Sequence, residues 1–557
     1  MKFMMKSSKD SVCITRPPMP MRMVVLACLA LMNGTAFADS APKDLLVSTS
    51  YYGGNTSTVT PGITVSGGVT ASYDGSFPNV FQNNVADGSF GVTSGITLET
   101  FNTANDKQTG NVDISAAAAA LGINLSTSFS SKSELSLNVS IDGTAATFMG
   151  YNSPISQLDV SNSNTAAVLD PTNLVTSTTP RAIGQINLSD GSLEVAPVNA
   201  YSGNNGRAAV LADGNYYMVG NAGNSSKKVS NGTLDALSAN TGVQMFDPDT
   251  ATVSGGAFNT TVVGQQVCPA CVGTGTGNQY GYSLTQYGYA ADKTGKDDNF
   301  RGLTVFDNTL YVTKGSGSNG INTVYQVGEA GALAHGGAIP GDAAITILPG
   351  FNTTNAKTAT TGPNPFGIWF ANPTTLYVAD EGDGVVADAA TSSFAGLEKW
   401  IFDGTKWNLA YTLQNGLNLG QNYTVTGGLN ADGSINPNGT GYTYTTATDG
   451  LRNITGRVNE NGTVTIYGVT STVSTGTGDQ GADPNILVSI TDKLSFSTIA
   501  EAANESFTNL QTAAYGQVLR GVALVHADDW PKHGQIKPGN GQPQHGQEDS
   551  GKGQSQH

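Results

Sequence analysis

The segment RAAVLADGNYYMV at residues 207–219 decides the fold, because the same phrase returns along the chain. Close copies stand at 301–312 (RGLTVFDNTLYV), 366–379 (FGIWFANPTTLYVA) and 452–467 (RNITGRVNENGTVTIY), with a looser copy at 134–148 and a truncated one at 520–525. A full copy has an apolar strand rich in small residues, a turn of Asp, Asn, Gly or Pro, and a second strand with Tyr or Phe. Recurrence at a long and uneven spacing predicts a repeat architecture.

Further hairpins lie between the recurring ones. The segments at 182–198 and 397–413 each carry an Asp-Gly turn between two apolar runs, which favours a tight β-hairpin. Two consecutive hairpins form one four-stranded antiparallel sheet, the blade of a β-propeller. Helical signals are limited to short stretches at 115–123 and 499–507. A β-sandwich or a β-helix is the competing fold, but a β-helix needs a short regular repeat.

The pattern predicts seven innermost strands. They begin near Phe90, Glu134, Arg207, Arg301, Phe366, Arg452 and Arg520. After Arg520 there is room for only one strand, so the last blade needs strands from elsewhere, and LLVSTSYY at 45–52 is the best candidate. Such pairing would close the ring and remove open sheet edges. The sequence therefore predicts an all-β fold, a seven-bladed β-propeller over residues 39–530 that is closed by N-terminal strands.

Both ends of the chain have patterns of their own. Five basic residues precede or flank the apolar run at 24–32, and Ala36-Phe37-Ala38 forms a cleavage site, so residues 1–38 are predicted to be a signal peptide. No later stretch is long and apolar enough to span a membrane. We therefore expect a protein that is exported to the periplasm or the extracellular space. Residues 531–557 have little apolar surface to bury and are predicted to be a disordered polar tail.

Charge and composition narrow the possible partners. The chain has 26 Lys and Arg against 42 Asp and Glu, a net charge of −16, which becomes about −20 once residues 1–38 are removed. This acidic balance argues against nucleic acid and anionic membranes as partners. Charged residues make up only 12% of the chain and glycines number 70, which is typical of an exported all-β protein with many turns. We expect the protein to be a monomer.

Cysteine and histidine usage disfavours several catalytic classes. Cys268 and Cys271 remain after the signal peptide, in a loop of Gly, Thr and Gln, and we predict that they form a disulfide in an oxidising compartment. Redox chemistry or half of a zinc site are the alternatives, although no second pair of ligands accompanies them. Four of the five histidines lie at or beyond the last strand, so catalysis by Ser-His-Asp or Cys-His is disfavoured.

The segments TLYVADEGDG at 375–384 and GLEKW at 396–400 resemble blade phrases of NHL-type, gluconolactonase-like and phytase-like β-propellers. The chain from about 43 to 530 also resembles a group of exported bacterial propellers without an assigned activity. The resemblance implies the fold. Its phytase-like members imply calcium-binding acids and phosphate-binding Lys or Arg at one face of the ring, but fold analogy alone assigns no chemistry.

The first residues of the innermost strands carry the sharpest functional prediction. These strands run along the central channel of a propeller, so their first residues should converge at one face. The basic residues at these positions are Lys132, Arg207, Arg301, Arg452 and Arg520. We predict that they bind an anionic ligand, because guanidinium groups make bidentate contacts to phosphate and carboxylate. The alternative is structural: each Arg pairs with an Asp of a neighbouring blade and seals the channel.

Acidic residues near the strand ends suggest a calcium site, because calcium takes oxygen ligands. Asp297, Asp298 and Asp449 precede innermost strands, whereas Asp380 and Asp383 follow a second strand. We expect Asp380 and Asp383 at the opposite face of the ring from the first residues of the innermost strands. An acidic turn that is stabilised by its own backbone is the alternative to a metal site.

Three functions remain open from the sequence. The first is binding of an anionic or polar small molecule, or of an extracellular partner, at the channel mouth. The second is a calcium-dependent hydrolase of phytase-like or lactonase-like type. The third is a surface interaction or scaffold protein with no small-molecule site. Trp369, Trp400, Trp407 and Trp530 could form a sugar-stacking platform, but we expect Trp369 in the core and Trp400 and Trp407 in the packing between blades.

Overall fold

The structure is a computed structural model. It describes residues 43–51 and, with short gaps, 92–223, 237–266, 297–426 and 443–526, together with three isolated pairs at 285–286, 289–290 and 537–538. The predicted signal peptide, residue Phe90, the pair Cys268 and Cys271, and nearly all of the predicted tail lie outside the described residues.

The described strands form six large sheets, which we number as blades 1 to 6. The N-terminal elements are β1 (Lys43–Tyr51), β2 (Thr93–Asn102), β3 (Lys107–Asp113), α1 (Ile114–Ala120) and β4 (Thr127–Ser128). Blade 1 contains, from the channel outward, β5 (Asn138–Val139), β6 (Ala145–Tyr151), β7 (Arg181–Asn187) and β8 (Ser192–Val198). A short 3-10 helix (Val160–Asn162) lies between β6 and β7.

Blades 2 and 3 follow in the chain. Blade 2 contains β9 (Gly206–Ala212), β10 (Asn215–Gly220), β11 (Gly242–Phe246) and β14 (Thr261–Val262), whereas β12 (Val253–Ser254) and β13 (Ala257–Phe258) extend the outer edge of blade 1. The next short strands are β15 (Gln265–Gln266), β16 (Thr285–Gln286) and β17 (Tyr289–Ala290). Blade 3 contains β18 (Leu303–Phe306), β19 (Thr309–Lys314), β20 (Thr323–Val327) and β21 (Ala344–Ile347), with β15 parallel to β21.

Blade 4 contains β22 (Pro365–Asn372), β23 (Thr375–Asp380), β24 (Gly396–Phe402) and β25 (Trp407–Leu413), with α2 (Val386–Ala389) between β23 and β24. Blade 5 contains β26 (Asn422–Thr426), β27 (Thr443–Val458), β28 (Thr463–Ser474), β29 (Gly478–Asp479), β30 (Ile486–Lys493) and β31 (Thr508–Thr512). The remaining strands are β32 (Gln517–His526) and β33 (Lys537–Pro538), which pairs parallel with β8.

The fold is therefore an all-β propeller with four-stranded antiparallel blades, as the recurring hairpins predict. The additional hairpins predicted at 182–198 and 397–413 are confirmed as β7–β8 and β24–β25. The predicted helix at 115–123 is confirmed as α1, but the one at 499–507 is not formed: residues 499–504 are turns and 505–507 have no regular structure. The Glu501 carboxylate accepts the Ser497 and Thr498 N–H groups within this turn region. No helix in the described ranges is long and apolar enough to cross a bilayer.

The predicted number of seven blades is wrong, because the structure has six. The strand that follows Phe90 is β2, and it belongs to the same sheet as β32, in the order β32-β1-β2-β3. In this sheet Val47 of β1 lies opposite Val522 of β32 on one side and Glu99 of β2 on the other. Blade 6 thus takes strands from both ends of the described chain, so Phe90 and Arg520 mark one blade and not two.

Glycines let neighbouring innermost strands approach each other where the strands begin. A Cβ at Gly302 would lie 2.0 Å from the carbonyl oxygen of Phe366, and one at Gly367 would lie 2.5 Å from that of Arg452. Real Cβ atoms do not approach oxygen so closely, so only glycine fits at these positions. The Arg-Gly and Phe-Gly pairs of the recurring phrase therefore have a packing role.

Short backbone contacts and hydrogen bonds also join blade 6 to blade 1, blade 1 to blade 2, and blade 5 to blade 6. A Cβ at Gly521 in blade 6 would lie 2.4 Å from the carbonyl oxygen of Leu135, which leads into blade 1. The Ser136 N–H donates to the Arg207 carbonyl at 3.3 Å, between blades 1 and 2. The Asn453 side chain donates to the Arg520 carbonyl at 2.6 Å, between blades 5 and 6. Each of these contacts lies near the first residue of an innermost strand.

A central cavity of about 220 Å³ lies between the innermost strands. Its wall contains residues from all six blades: Asn138, Val210, Thr304, Trp369, Thr455 and Leu524 are examples. Residues of all six innermost strands therefore line one common space.

We predict that Gly302→Ala and Gly367→Ala each lower the free energy of unfolding by about 1–3 kcal/mol, because the new methyl group overlaps a backbone oxygen of the next blade. Denaturant unfolding followed by tryptophan fluorescence measures this change. Gly110→Ala is the matched control, since the nearest atom to its Cβ would be Thr100 Oγ1 at 3.6 Å. A loss at Gly302 no larger than that at Gly110 would contradict the proposed packing role.

Candidate functional site

One segment of the chain contacts the first residues of several innermost strands. We call residues 129–134 the plug segment; residue 130 is not among those the structure describes. Phe129, Ser131, Ser133 and Glu134 are buried, whereas the side chain of Lys132 is 22% exposed. Glu134 accepts hydrogen bonds from the hydroxyls of Tyr151 in blade 1 and of Thr127 in β4, which pairs with β2, both at 2.6 Å, and these bonds anchor the end of the plug segment.

Arginines from three blades donate hydrogen bonds to the plug segment. Ser133 Oγ accepts from Arg207 Nε at 3.0 Å and from Arg301 Nη1 at 2.7 Å, which joins blades 2 and 3 through one hydroxyl. Arg520 of blade 6 donates to the carbonyl oxygen of Phe129. Three guanidinium groups therefore bind polar atoms that the chain itself supplies.

The fourth arginine contacts the plug segment through a carboxylate. Glu381, which follows β23 in blade 4, accepts at Oε2 from Arg452 Nε at 3.1 Å. The same oxygen lies 3.2 Å from Lys132 Nζ of the plug segment. Two cations from different parts of the chain thus share one carboxylate oxygen.

The structure brings the predicted cationic residues Lys132, Arg207, Arg301, Arg452 and Arg520 together around the plug segment. The four arginines are at most 7% exposed. Burial and, secondly, the charge of Arg301 lower the pKa of Arg207. The arrangement resembles the sealing alternative more than an open anion site, although the acceptors are the plug segment, Glu381, Ser50 and, for Arg207, three asparagine side chains and the Phe300 carbonyl, and not a row of aspartates. Binding of an anion by these residues stays a prediction.

The expectation that Asp380 and Asp383 lie at the opposite face is wrong. Asp380, the last residue of β23, pairs with Pro365, the first residue of β22. In an antiparallel hairpin the second strand ends where the first begins. The acidic turn after β23 therefore lies at the face of the plug segment, where Glu381 of this turn contacts Arg452.

The residues predicted to bind calcium fall into two groups. Asp449 Oδ2 accepts the Gly384 N–H at 2.8 Å and so lies against the turn that holds Asp383. Asp298 Oδ1 accepts from the Thr241 hydroxyl at 3.4 Å in blade 2, and its neighbour Asp297 is buried. Across the described ranges, no three His, Cys, Asp or Glu side chains are grouped as a metal site requires. The calcium assignment has no geometric support here and stays a prediction.

A polar pocket of about 550 Å³ opens at the same face, between blades 3 and 4, and we call it the mouth pocket. Its charged lining residues are Lys132, Glu381, Asp383 and Asp388, and its amide residues are Asn322 and Asn364. The hydroxyl residues are Thr361, Thr391, Ser392 and Ser393, and Phe394 is the aromatic residue of the lining. Such a volume falls within the roughly 300–1,000 Å³ of small-molecule sites.

Glu381 connects the mouth pocket to the plug segment. It is 3% exposed, and its Oε1 has no hydrogen-bond partner among the described residues. Buried carboxylate oxygens normally have partners, because leaving one without a donor is unfavourable. The sequence predictions name Asp380 and Asp383 as candidate ligands but not Glu381, which lies between them in the same acidic turn. The antiparallel pairing rule would have placed it at the correct face.

Two further carboxyl groups lie behind this turn. Burial raises the pKa of Asp380 to about 7, although the Gly382 and Asn364 N–H groups donate to it. Burial also raises the pKa of Glu398 on β24, with the charge of Asp380 as the second cause. An ionised Asp380 disfavours ionisation of Glu398, because the two negative charges repel each other.

The tryptophans pack between strands and blades. Trp400 stacks on Phe351 of blade 3 with ring centroids 3.9 Å apart, and Trp407 is buried against Phe370. Trp369 lines the central cavity. The structure therefore does not assemble these three side chains into one platform.

Comparisons with known proteins identify no family. No family model matches the chain, and no curated protein matches it. Among solved structures, the N-terminal domain of Nup159 is 7% identical with a TM-score of 0.26, covering 88% of this chain and 97% of that one. Polysaccharide lyase Uly1 is 11% identical with a TM-score of 0.24, covering 83% of this chain and 81% of that one. Scores this low carry no argument about function. The resemblance to NHL-type, gluconolactonase-like and phytase-like propellers gains no support beyond the propeller fold.

We predict that Ser133→Ala lowers the free energy of unfolding by about 2 kcal/mol, because two buried guanidinium groups lose a shared acceptor. Ser131→Ala is the matched control in the same segment, since Ser131 Oγ accepts a neutral hydrogen bond from Asn205 at 2.7 Å. Denaturant unfolding of both variants gives the comparison. A Ser133 variant that loses no more stability than the Ser131 variant would show that the plug segment does not hold the arginines.

Proposed function

We propose that this protein, once exported, binds a polar and non-anionic small molecule in the mouth pocket. The observation that carries the proposal is Glu381: a carboxylate that is 3% exposed, lines the pocket, and has one oxygen without a hydrogen-bond partner in the described part of the chain. A ligand with a hydrogen-bond donor would supply the hydrogen bond that this oxygen lacks.

The charge of the pocket argues for the polar alternative over the anionic one. Among the described lining residues there are three carboxylates, from Glu381, Asp383 and Asp388, against one ammonium, from Lys132. The arginines that were expected to receive an anion contact the plug segment or Glu381 instead. An anion in the pocket would therefore meet more like charge than opposite charge.

Export of the mature chain is part of the proposal. It is supported by the basic, apolar and A-x-A pattern of residues 1–38. No observation on the described residues favours the calcium-dependent hydrolase or the scaffold alternative over a binding protein.

We also propose that pairing between β1 and β32 closes the ring. The support is the register in which β1 lies between β32 and β2, and the hydrogen bond from Ser48 Oγ in β1 to the Leu135 carbonyl at 2.6 Å. A closed ring would keep the plug segment, the arginines and the mouth pocket in fixed positions.

A thermal-shift screen of the purified protein tests the binding proposal. The panel contains neutral sugars and polyols, amines, sugar acids, phosphate esters, lactones and Ca²⁺. We expect a non-anionic polar compound to raise the melting temperature, because a ligand at about 100 times its Kd stabilises by about 2.7 kcal/mol.

Two variants test whether the ligand binds in the mouth pocket. Ser393→Phe fills the exposed rim of the mouth pocket and should abolish the shift, whereas Ser495→Phe, at an exposed serine outside the pocket, should preserve it. The proposal fails if no panel member shifts the melting temperature, or if the shift survives Ser393→Phe. A shift caused by phosphate esters or by Ca²⁺ alone would favour the hydrolase instead.

A further inference from the structure

We infer that the ligand of the mouth pocket is a neutral polyhydroxylated molecule of the saccharide or polyol class, with one of its hydroxyls donating to Glu381 Oε1. This inference rests on the proposed function and names the class of ligand that the site selects.

The charges around Glu381 favour a neutral donor. Its Oε2 already contacts two cations, Arg452 at 3.1 Å and Lys132 at 3.2 Å, so the carboxylate is locally over-compensated. An ammonium group on Oε1 would be a third cation within a few ångströms of the first two, and their repulsion would offset its attraction to the carboxylate. A hydroxyl donates to the same oxygen without this repulsion.

A negatively charged ligand is disfavoured at Glu381 for a different reason. Carboxylate oxygens accept hydrogen bonds and cannot donate them, so a phosphate or carboxylate finds no donor at Glu381 Oε1. Asp383 and Asp388 add two more exposed carboxylates to the wall of the same pocket. Anions are therefore disfavoured by hydrogen bonding as well as by charge.

The rest of the lining suits groups that both donate and accept, as hydroxyls do. Asn322 and Asn364 form an amide pair, with Asn322 Nδ2 donating to Asn364 Oδ1 at 3.3 Å. The exposed residues Thr361 and Ser393 contribute hydroxyls at the wall. A molecule with several hydroxyls can pair with acceptor-only carboxylates and with such mixed groups at the same time.

Phe394 provides the apolar part of this recognition. It is half-buried and lines the mouth pocket beside the hydroxyl residues. Sugar rings and polyols carry C–H faces between their hydroxyls, and burying such a face against an aromatic ring is favourable. A pocket with one aromatic ring among many polar groups therefore matches a polyhydroxylated molecule better than a small inorganic ion.

The test uses matched ligands that differ in one group. Isothermal titration of the purified full protein compares glucose, galactose and mannose with their 2-amino and uronic acid counterparts. We expect the neutral member of at least one series to bind about tenfold more tightly than its amino and acid counterparts. Ser393→Phe should abolish this binding, and Ser495→Phe should leave it unchanged.

Glu381→Gln separates recognition from simple loss of structure. The variant should weaken neutral sugar binding by about tenfold, since a hydrogen bond to a charged acceptor is lost, and it should raise the affinity of the uronic acid relative to the neutral sugar. A structural role alone would weaken all three ligands equally. If this variant does not fold, Asp383→Asn gives the same ordering test, with Asp342→Asn, at an exposed aspartate outside the pocket, as its control.

The outcomes distinguish this inference from the proposed function. Tighter binding of an amino sugar or a uronic acid than of the neutral sugar overturns the inference but leaves pocket binding intact. The same holds if every sugar fails while another polar compound binds and is blocked by Ser393→Phe. If neither sugars nor any other panel compound binds in the pocket, both fail.

Discussion

The close approach of the innermost strands is the constraint on which the rest of the structure depends. At Gly302 and Gly367 the backbone of the next blade lies where a side chain would begin, at 2.0 and 2.5 Å from the Cβ position. Because the strands meet where they begin, their first residues lie near one another at one face. A segment as short as 129–134 can then contact arginines from blades 2, 3 and 6, and, through Glu381, one from blade 5.

This constraint also explains why the recurring arginines are buried. A guanidinium group has five donors and no acceptor, so it must find oxygens when it is removed from water. Ser133, the Phe129 carbonyl and Glu381 supply some of them, and Ser50, three asparagine side chains and the Phe300 carbonyl supply others. The arginines therefore bind the plug segment, and the surface open to a ligand lies beside them, where Glu381 lines the mouth pocket. The carboxylate of Glu381 therefore both holds Arg452 at the channel face and lines the mouth pocket.

The fold could be predicted from the sequence to the extent that it follows from local hairpins. The phrase with Arg207 and that with Arg301 each specify an innermost strand and its partner, and the structure has both. The number of blades could not be obtained in this way, because the strand after Phe90 is not innermost: it is β2, which lies beyond β1 in the sheet of β32. A local pattern does not report the position of a strand within its sheet. The pairing of the strand near residue 45 with the last strand, by contrast, was predicted. The convergence of the arginines followed from the repeat, but the identity of their acceptors did not.

The candidate site was less accessible to sequence reasoning, for a physical reason. Ser133 and Glu381 are far apart in the chain and belong to no repeated phrase, so their contacts with the arginines depend on tertiary structure alone. The wrong face for Asp380 and Asp383 was an error of a different kind, since antiparallel pairing already places the end of β23 beside the first residue of β22.

Native-state hydrogen exchange of β1 tests the central claim, that six blades form one closed ring around the channel. The account predicts that amides of residues 43–51 are protected to the same degree as those of β2, since β1 lies between β32 and β2 in blade 6. Exchange of these amides at the rate of an unstructured chain, while blades 2 to 4 stay protected, would contradict it.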